Sequence, residues 1–249
     1  MRKIVYILLL CISLVVGFVS GRMSLQKEMQ EIKSKYVLNE FSLKCGKDFD
    51  YLAIGNSITA NEATNIWWNE WGAAATREEN DYFHLVSKYL ENRFGSINSQ
   101  PISFVQWELL DTNRPETLVL LDPYLNEDID LITIQLGENI EITDELENDY
   151  NYMIDYIENK APNAQILLIG TFWSNENMEE IKMNCCETNG ICYVNLSELW
   201  ERKEYICGLN TLVYDKEGNE HIVTNSGVAS HPNDKAMKYI ADKIIEKIE

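Results

Sequence analysis

The chain has 249 residues, enough for one large domain or at most two small ones. Its 45% hydrophobic content fits a globular protein with a sizeable core and excludes wholesale disorder, collagen-like repeats and a polytopic membrane protein. Twenty-one Lys and Arg against 40 Asp and Glu give a net charge of −19, a field that repels phosphate backbones and argues against nucleic acid and other polyanions as partners.

The first element is an apolar run. In residues 1–21, MRKIVYILLLCISLVVGFVSG, Arg2 and Lys3 precede an unbroken apolar stretch that ends at the small residues Ser20 and Gly21. This predicts an export signal, either cleaved after the small residues or kept as an N-terminal membrane anchor. The expected location is therefore secreted or membrane-anchored, outside the cytoplasm, with membrane contact only through this segment. Cys11 lies inside the run without a small residue before it and is not a lipidation site. The signal carries two basic and no acidic residues, so the remainder has 19 basic against 40 acidic residues, or −21. Residues 22–48 read as a charged stalk, and the folded domain spans 49–249.

From residue 49 onward, strands and helices alternate. Short apolar runs at 51–54, 102–105, 129–136, 165–169 and 191–194 predict five strands, and helical periodicity at 82–94, 144–159 and 174–189 separates them. Apolar strands separated by helices imply a parallel sheet covered on both faces, a three-layer α/β/α sandwich. Segments 211–214 and 220–224 flank a Lys216-Glu217-Gly218-Asn219 turn and predict a β-hairpin. After Pro232, the residues Met237, Ile240, Ala241, Ile244, Ile245 and Ile248 recur at spacings of three and four, the apolar face of a last helix capped by Asn233 or Asp234.

Reactive groups in open α/β sheets gather on loops at the carboxyl ends of strands. The first strand runs into Gly55-Asn56-Ser57-Ile58-Thr59 and the third into Gly137-Glu138-Asn139, while the last loop delivers Ser230-His231-Pro232. A hydroxyl, a carboxamide and an imidazole on one sheet edge are the parts of an acyl-transfer site: nucleophile, oxyanion donor and general base.

These residues carry a family resemblance. YLAIGNSIT resembles the first block of the SGNH (GDSL-like) hydrolases, IQLGENI their Gly-x-Asn-Asp block, and SHPNDKAMKYIADKI their terminal His-Pro block with its helix. The three occur in the family's order, 82 and 92 residues apart. The expected sheet has about five parallel strands and is flavodoxin-like. The resemblance implies Ser57 as nucleophile, His231 as base, and the Asn139 side chain with the Ser57 N–H as oxyanion donors, with no metal and no organic cofactor. It implies an exported serine esterase that hydrolyses or transfers an acyl group of a small-molecule or glycan ester, acetyl on a carbohydrate being one case.

Three departures from the family pattern stand out. Asn56 replaces an Asp beside the nucleophile. The second block, FVQWELLD, has no Gly, so a backbone N–H near Trp107 or Glu108 has to serve as the further oxyanion donor. Val228 stands where the family places an Asp three residues before the His, which leaves either a Ser57–His231 dyad or an acid recruited from Glu108, Glu138 or Asp234. The competing reading is a catalytically degenerate cell-surface binding module on the same scaffold.

Other residues have plainer readings beside the functional one. Trp67, Trp68 and Trp71 follow the nucleophile closely and are either a stacking platform for a sugar ring or a hydrophobic plug, with at least one of them in the core. His84 falls on a helix and is expected to be structural, and His221 lies on the hairpin with no acid or nucleophile motif around it. Three His are too few for a binuclear metallophosphatase. Beyond Cys11 there are five Cys, an odd number that excludes a complete intramolecular disulfide set. One or two local bridges among Cys185, Cys186, Cys192 and Cys207 stay open, whereas the spacing disfavours zinc.

Overall fold

The structure is a computed structural model that describes residues 48–110 and 113–248. The export segment, the stalk and Cys45 lie outside the described residues. Among the described residues no helix is long and apolar enough to cross a membrane.

In chain order the elements are β1 (Phe49–Gly55), α1 (Tyr82–Phe94), β2 (Ile97–Ser103), the short helices α2 (Val105–Leu109) and α3 (Arg114–Thr117), β3 (Leu131–Gln135), α4 (Leu146–Lys160), β4 (Gln165–Ile169), α5 (Glu176–Asn189) and β5 (Cys192–Val194). The hairpin strands β6 (Leu212–Tyr214) and β7 (Glu220–Ile222), the single turn α6 (Ser226–Ala229) and α7 (Asp234–Ile245) complete the chain. The main sheet has the order β2-β1-β3-β4-β5 and is parallel throughout. This is the doubly wound arrangement whose ligands bind at the carboxyl ends of the strands, where the strand order reverses between β1 and β3.

Alternation along β1 divides the two faces. Leu52 and Ile54 join Ile132, Ile134, Ile166 and Leu168 in a core closed by Trp107, Tyr150, Ile154 and Met178 from α2, α4 and α5. Tyr51 points the other way and stacks on Phe83 of α1 at 5.4 Å. Of the residues that recur at three and four, Met237, Ile240, Ala241, Ile244 and Ile248 are buried and Ile245 is half-buried, and α7 packs against α1. Asn233 caps α7 by accepting from the Ala236 N–H at 3.1 Å.

The second strand differs from expectation. It runs over residues 97–103, not 102–105, and its sequence INSQPIS is largely polar because β2 is an edge strand paired on one side only. The chain then turns at once into α2, which carries Trp107 and Glu108 inward. Of the four described cysteines, Cys185 and Cys186 are buried, Cys192 and Cys207 half-buried, and all four are unbridged. Burial pushes the Cys185 and Cys186 thiols up to about 12.

Gly55 marks where β1 must pass close to its neighbours. A Cβ there would lie 1.9 Å from Thr59 Oγ1 and 2.8 Å from the Gln135 carbonyl oxygen. Gly55→Ala is therefore expected to displace either β1 from β3 or the loop that follows, costing about 1–3 kcal/mol. Thermal or urea unfolding of the variant measures it.

Candidate active site

The loop after β1 is held by Asn56, which is fully buried. Its Oδ1 accepts from the Ile58 N–H at 3.0 Å, an Asx turn spanning Ser57. Its Nδ2 donates to Glu138 Oε2 at 2.7 Å and Glu108 Oε1 at 3.1 Å. The Ser57 carbonyl accepts from the Ala73 N–H at 2.8 Å and from Asn61 Nδ2 at 2.7 Å. With its carbonyl so held, the Ser57 backbone is fixed in place.

That hydroxyl lies 2.9 Å from His231 Nε2, across 174 residues of sequence. The other ring nitrogen, Nδ1, donates to the Gly227 carbonyl at 2.7 Å. Because a carbonyl can only accept, Nδ1 carries the proton, and Nε2 is left with the lone pair that faces Ser57. The turn that presents this carbonyl is α6, capped by Asn225, whose Oδ1 accepts from the Val228 N–H at 3.1 Å. Val228 itself points into the core. The imidazole therefore takes its orienting partner from the backbone one residue earlier than the position where the family has its acid.

None of the three acids considered from the sequence orients His231. Asp234 is engaged by the Thr76 N–H and hydroxyl and by Asn80. Glu108 and Glu138 bond within the loops after β1 and β3. Glu108 enters the site through its side chain, which accepts from Asn139 Nδ2 at 2.6 Å. Asn139 thus sits on the loop after β3, beside the nucleophile loop, with one amide hydrogen engaged and one free. The Ser57 N–H has no acceptor among the described residues.

Burial holds His231 below its ordinary value, and the Gly227 carbonyl, which carries no full charge, opposes this. The imidazole is neutral at pH 7. A reaction that needs neutral His231 loses rate as pH falls through that lowered value. The acid limb of kcat/KM is accordingly expected to have its midpoint below pH 6.5 and to be level at neutral pH. A pH–rate profile with a small ester tests this, and a midpoint above 6.5 would contradict it.

Below the site lies a buried charged cluster. Glu138 accepts from Asn56, Gln135 Nε2 (2.7 Å) and the Phe172 N–H (3.0 Å). The residue keeps some exposed surface, but its carboxyl is enclosed. Burial pushes this carboxyl above the usual range, Lys182 pulls it back, and Glu108 adds to the rise. Lys182 is itself fully buried and donates to the Ile169 carbonyl at 2.8 Å.

The tryptophans divide. Trp67 and Trp71 are buried, and Trp71 Nε1 donates to the Ala75 carbonyl at 3.3 Å. Trp68 stacks on the His221 ring at 4.2 Å and 15°. The insertion thus docks onto the hairpin, with Asn69 Nδ2 donating to the Tyr214 carbonyl at 2.9 Å. The aromatic beside the Ser57–His231 pair is Trp173, from the loop after β4. Its ring meets His231 edge-on at 5.2 Å, and its Nε1 donates to the Ser230 carbonyl at 3.3 Å. Its position just beyond a strand end was the signal that could have found it.

The other two histidines have structural partners. His221, read from sequence as having no acid nearby, pairs with Asp215 across the hairpin at 2.9 Å. That pairing, with Asn219, draws the Asp215 carboxyl down to about 2. His84 lies 2.8 Å from Asp81, the cap of α1. Burial lowers His84, but the Asp81 contact and the nearby Glu78 and Glu79 outweigh this and raise it overall.

No protein-family model matches the sequence, and no curated protein matches it. Solved structures do. A two-domain esterase described as active on acetylated mannans superposes with a TM-score of 0.53 at 14% identity, covering 90% of this chain and 52% of that one, so the chain spans about half its length. Phospholipase A1 from Streptomyces albidoflavus gives 0.52 at 13% identity, with 81% and 100% covered. A GDSL-like lipase from Bacteroides uniformis gives 0.51 at 13%, with 83% and 98% covered. The order of the sheet and these likenesses define the fold: it is the one that these solved esterases and lipases share.

Proposed function

We propose that the protein is a serine esterase whose working groups are Ser57 and His231. The observation that carries this is the Ser57 Oγ to His231 Nε2 hydrogen bond of 2.9 Å, with Nδ1 committed to the Gly227 carbonyl. In acylation, His231 Nε2 takes the Ser57 proton as Oγ attacks the ester carbonyl. The negative charge that develops is met by the free Asn139 amide hydrogen and the Ser57 N–H. The tetrahedral intermediate collapses, the C–O bond to the alcohol breaks, and His231 returns the proton to the leaving oxygen. Water then repeats the sequence on the acyl-serine and releases the acid. A sugar hydroxyl in place of water makes the same sequence a transfer.

The Gly227 carbonyl supports catalysis over the binding-module reading, which drew on the missing acid. A carbonyl fixes the tautomer and aims the ring, though it stabilises an imidazolium less than a carboxylate does. The substrate class is an acyl, and by the mannan-active neighbour an acetyl, ester of a carbohydrate. The reading also includes export, by secretion or anchoring through residues 1–21. The −21 charge of the remainder favours neutral over anionic polymers. Hydrolysis of a chromogenic acetate ester, followed by acetate release from an acetylated neutral glycan, tests the proposal. Turnover of the first supports an esterase and of the second its substrate class, whereas failure of both removes the reading.

A further inference from the structure

One carboxylate joins the two loops of the site. Glu108, on α2 after the edge strand, is 1% exposed and therefore has little solvent to satisfy it. Its Oε1 accepts from Asn56 Nδ2 and from the N–H groups of Gly137 and Glu138, and its Oε2 accepts from Asn139 Nδ2 at 2.6 Å. Four donors from two strand-end loops converge on one buried side chain. Four hydrogen bonds on one carboxyl group, two of them from backbone N–H groups, hold its geometry firmly.

Resting on the esterase reading, we infer that Glu108 is the positioning residue of the oxyanion site, setting the orientation of Asn139 and tying it to the loop that carries Ser57. The Asn139 amide can adopt two flips. Only the one that turns its NH₂ end toward Oε2 makes this bond, and the second N–H of that NH₂ group is thereby aimed in a fixed direction. On the other side, Asn56 is gripped at Nδ2 by Glu108 while its Oδ1 holds the Ile58 N–H, so the Ser57 N–H is fixed by the same anchor. The carboxylate contacts no reacting atom. Both its oxygens are taken up by its own donors, so it orients the oxyanion donors without facing the oxyanion.

Glu108→Gln keeps the size of the side chain and puts an NH₂ where an acceptor stood, so that donors meet a donor. The expected result is a fall in kcat of about 10²-fold, the size of losing one oxyanion donor, with KM changed less than about threefold. If Glu108 acts through Asn139, the two losses do not multiply, and Glu108→Gln costs less than about threefold in an Asn139→Ala background. A second readout needs no substrate. In the ¹H–¹⁵N spectrum of the wild-type protein, the Asn139 side-chain amide, identified by its loss in Asn139→Ala, shows one proton well downfield of its partner, and in Glu108→Gln that separation collapses. A wild-type amide with equivalent protons, losses that multiply in full, or a Glu108→Gln kcat within threefold of wild type each overturns the inference. A separated Asn139 pair in a wild-type protein that turns over no ester overturns the esterase reading and leaves the anchor standing.

Discussion

Ser57→Ala is expected to lower turnover of a small acetate ester by about 10⁴- to 10⁶-fold, leaving only the residue of rate that oxyanion binding supplies. The size follows from the chemistry, since the variant has no oxygen to form the acyl intermediate and the remaining groups can only bind the ester. The fold should barely notice. The Ser57 hydroxyl bonds to His231 alone, while the carbonyl held by Ala73 and Asn61 is untouched. Unfolding free energy should therefore change by no more than about 1 kcal/mol, the worth of one hydrogen bond. Steady-state kinetics beside a melting curve separate the two effects. Retained turnover in a folded variant would move the nucleophile elsewhere.

The second large effect is expected from His231→Ala, on the order of 10⁴-fold or more, because an alcohol at neutral pH is a poor nucleophile without a base. The backbone of residue 231 keeps its place, its N–H bonded to the Val228 carbonyl at 3.1 Å and its carbonyl to the Cys207 N–H at 2.9 Å. Loss of rate then reports the imidazole and not the loop. Since Ser57 and His231 act as one unit, the double variant should fall no further than the worse single one. Multiplicative losses would show that the two side chains work independently, against a dyad.

Much of this arrangement was readable in the sequence because it rests on periodic signals. The buried strands β3 and β4 are continuous apolar runs, and α7 shows its core face at every third or fourth residue. The placement of Ser57, Asn139 and His231 at one edge of the sheet was legible because each follows a strand end or precedes a helix whose pattern is strong. The edge strand β2 was misplaced by several residues, since one-sided pairing does not require apolar residues on both faces, and INSQPIS carries no run to see.

What orients His231 was not legible at all. Every residue has a backbone carbonyl, so nothing in the identity of Gly227 announces that its oxygen meets His231, and Val228 read as a missing acid when it is a core residue. Glu108 showed itself as a departure from a glycine and as a candidate acid for His231, and its four donors come from residues at least 29 positions away. The Trp67 and Trp71 rings were ambiguous because burial and ligand stacking use the same side chain, and the packing resolved them toward the interior.

The account depends above all on Ser57 being an activated nucleophile. The direct measurement is reaction of the protein with a fluorophosphonate serine probe, followed by intact mass and peptide mapping. One adduct per chain, on Ser57, that disappears in His231→Ala is the expected result; no adduct, or an adduct on another serine, would contradict it.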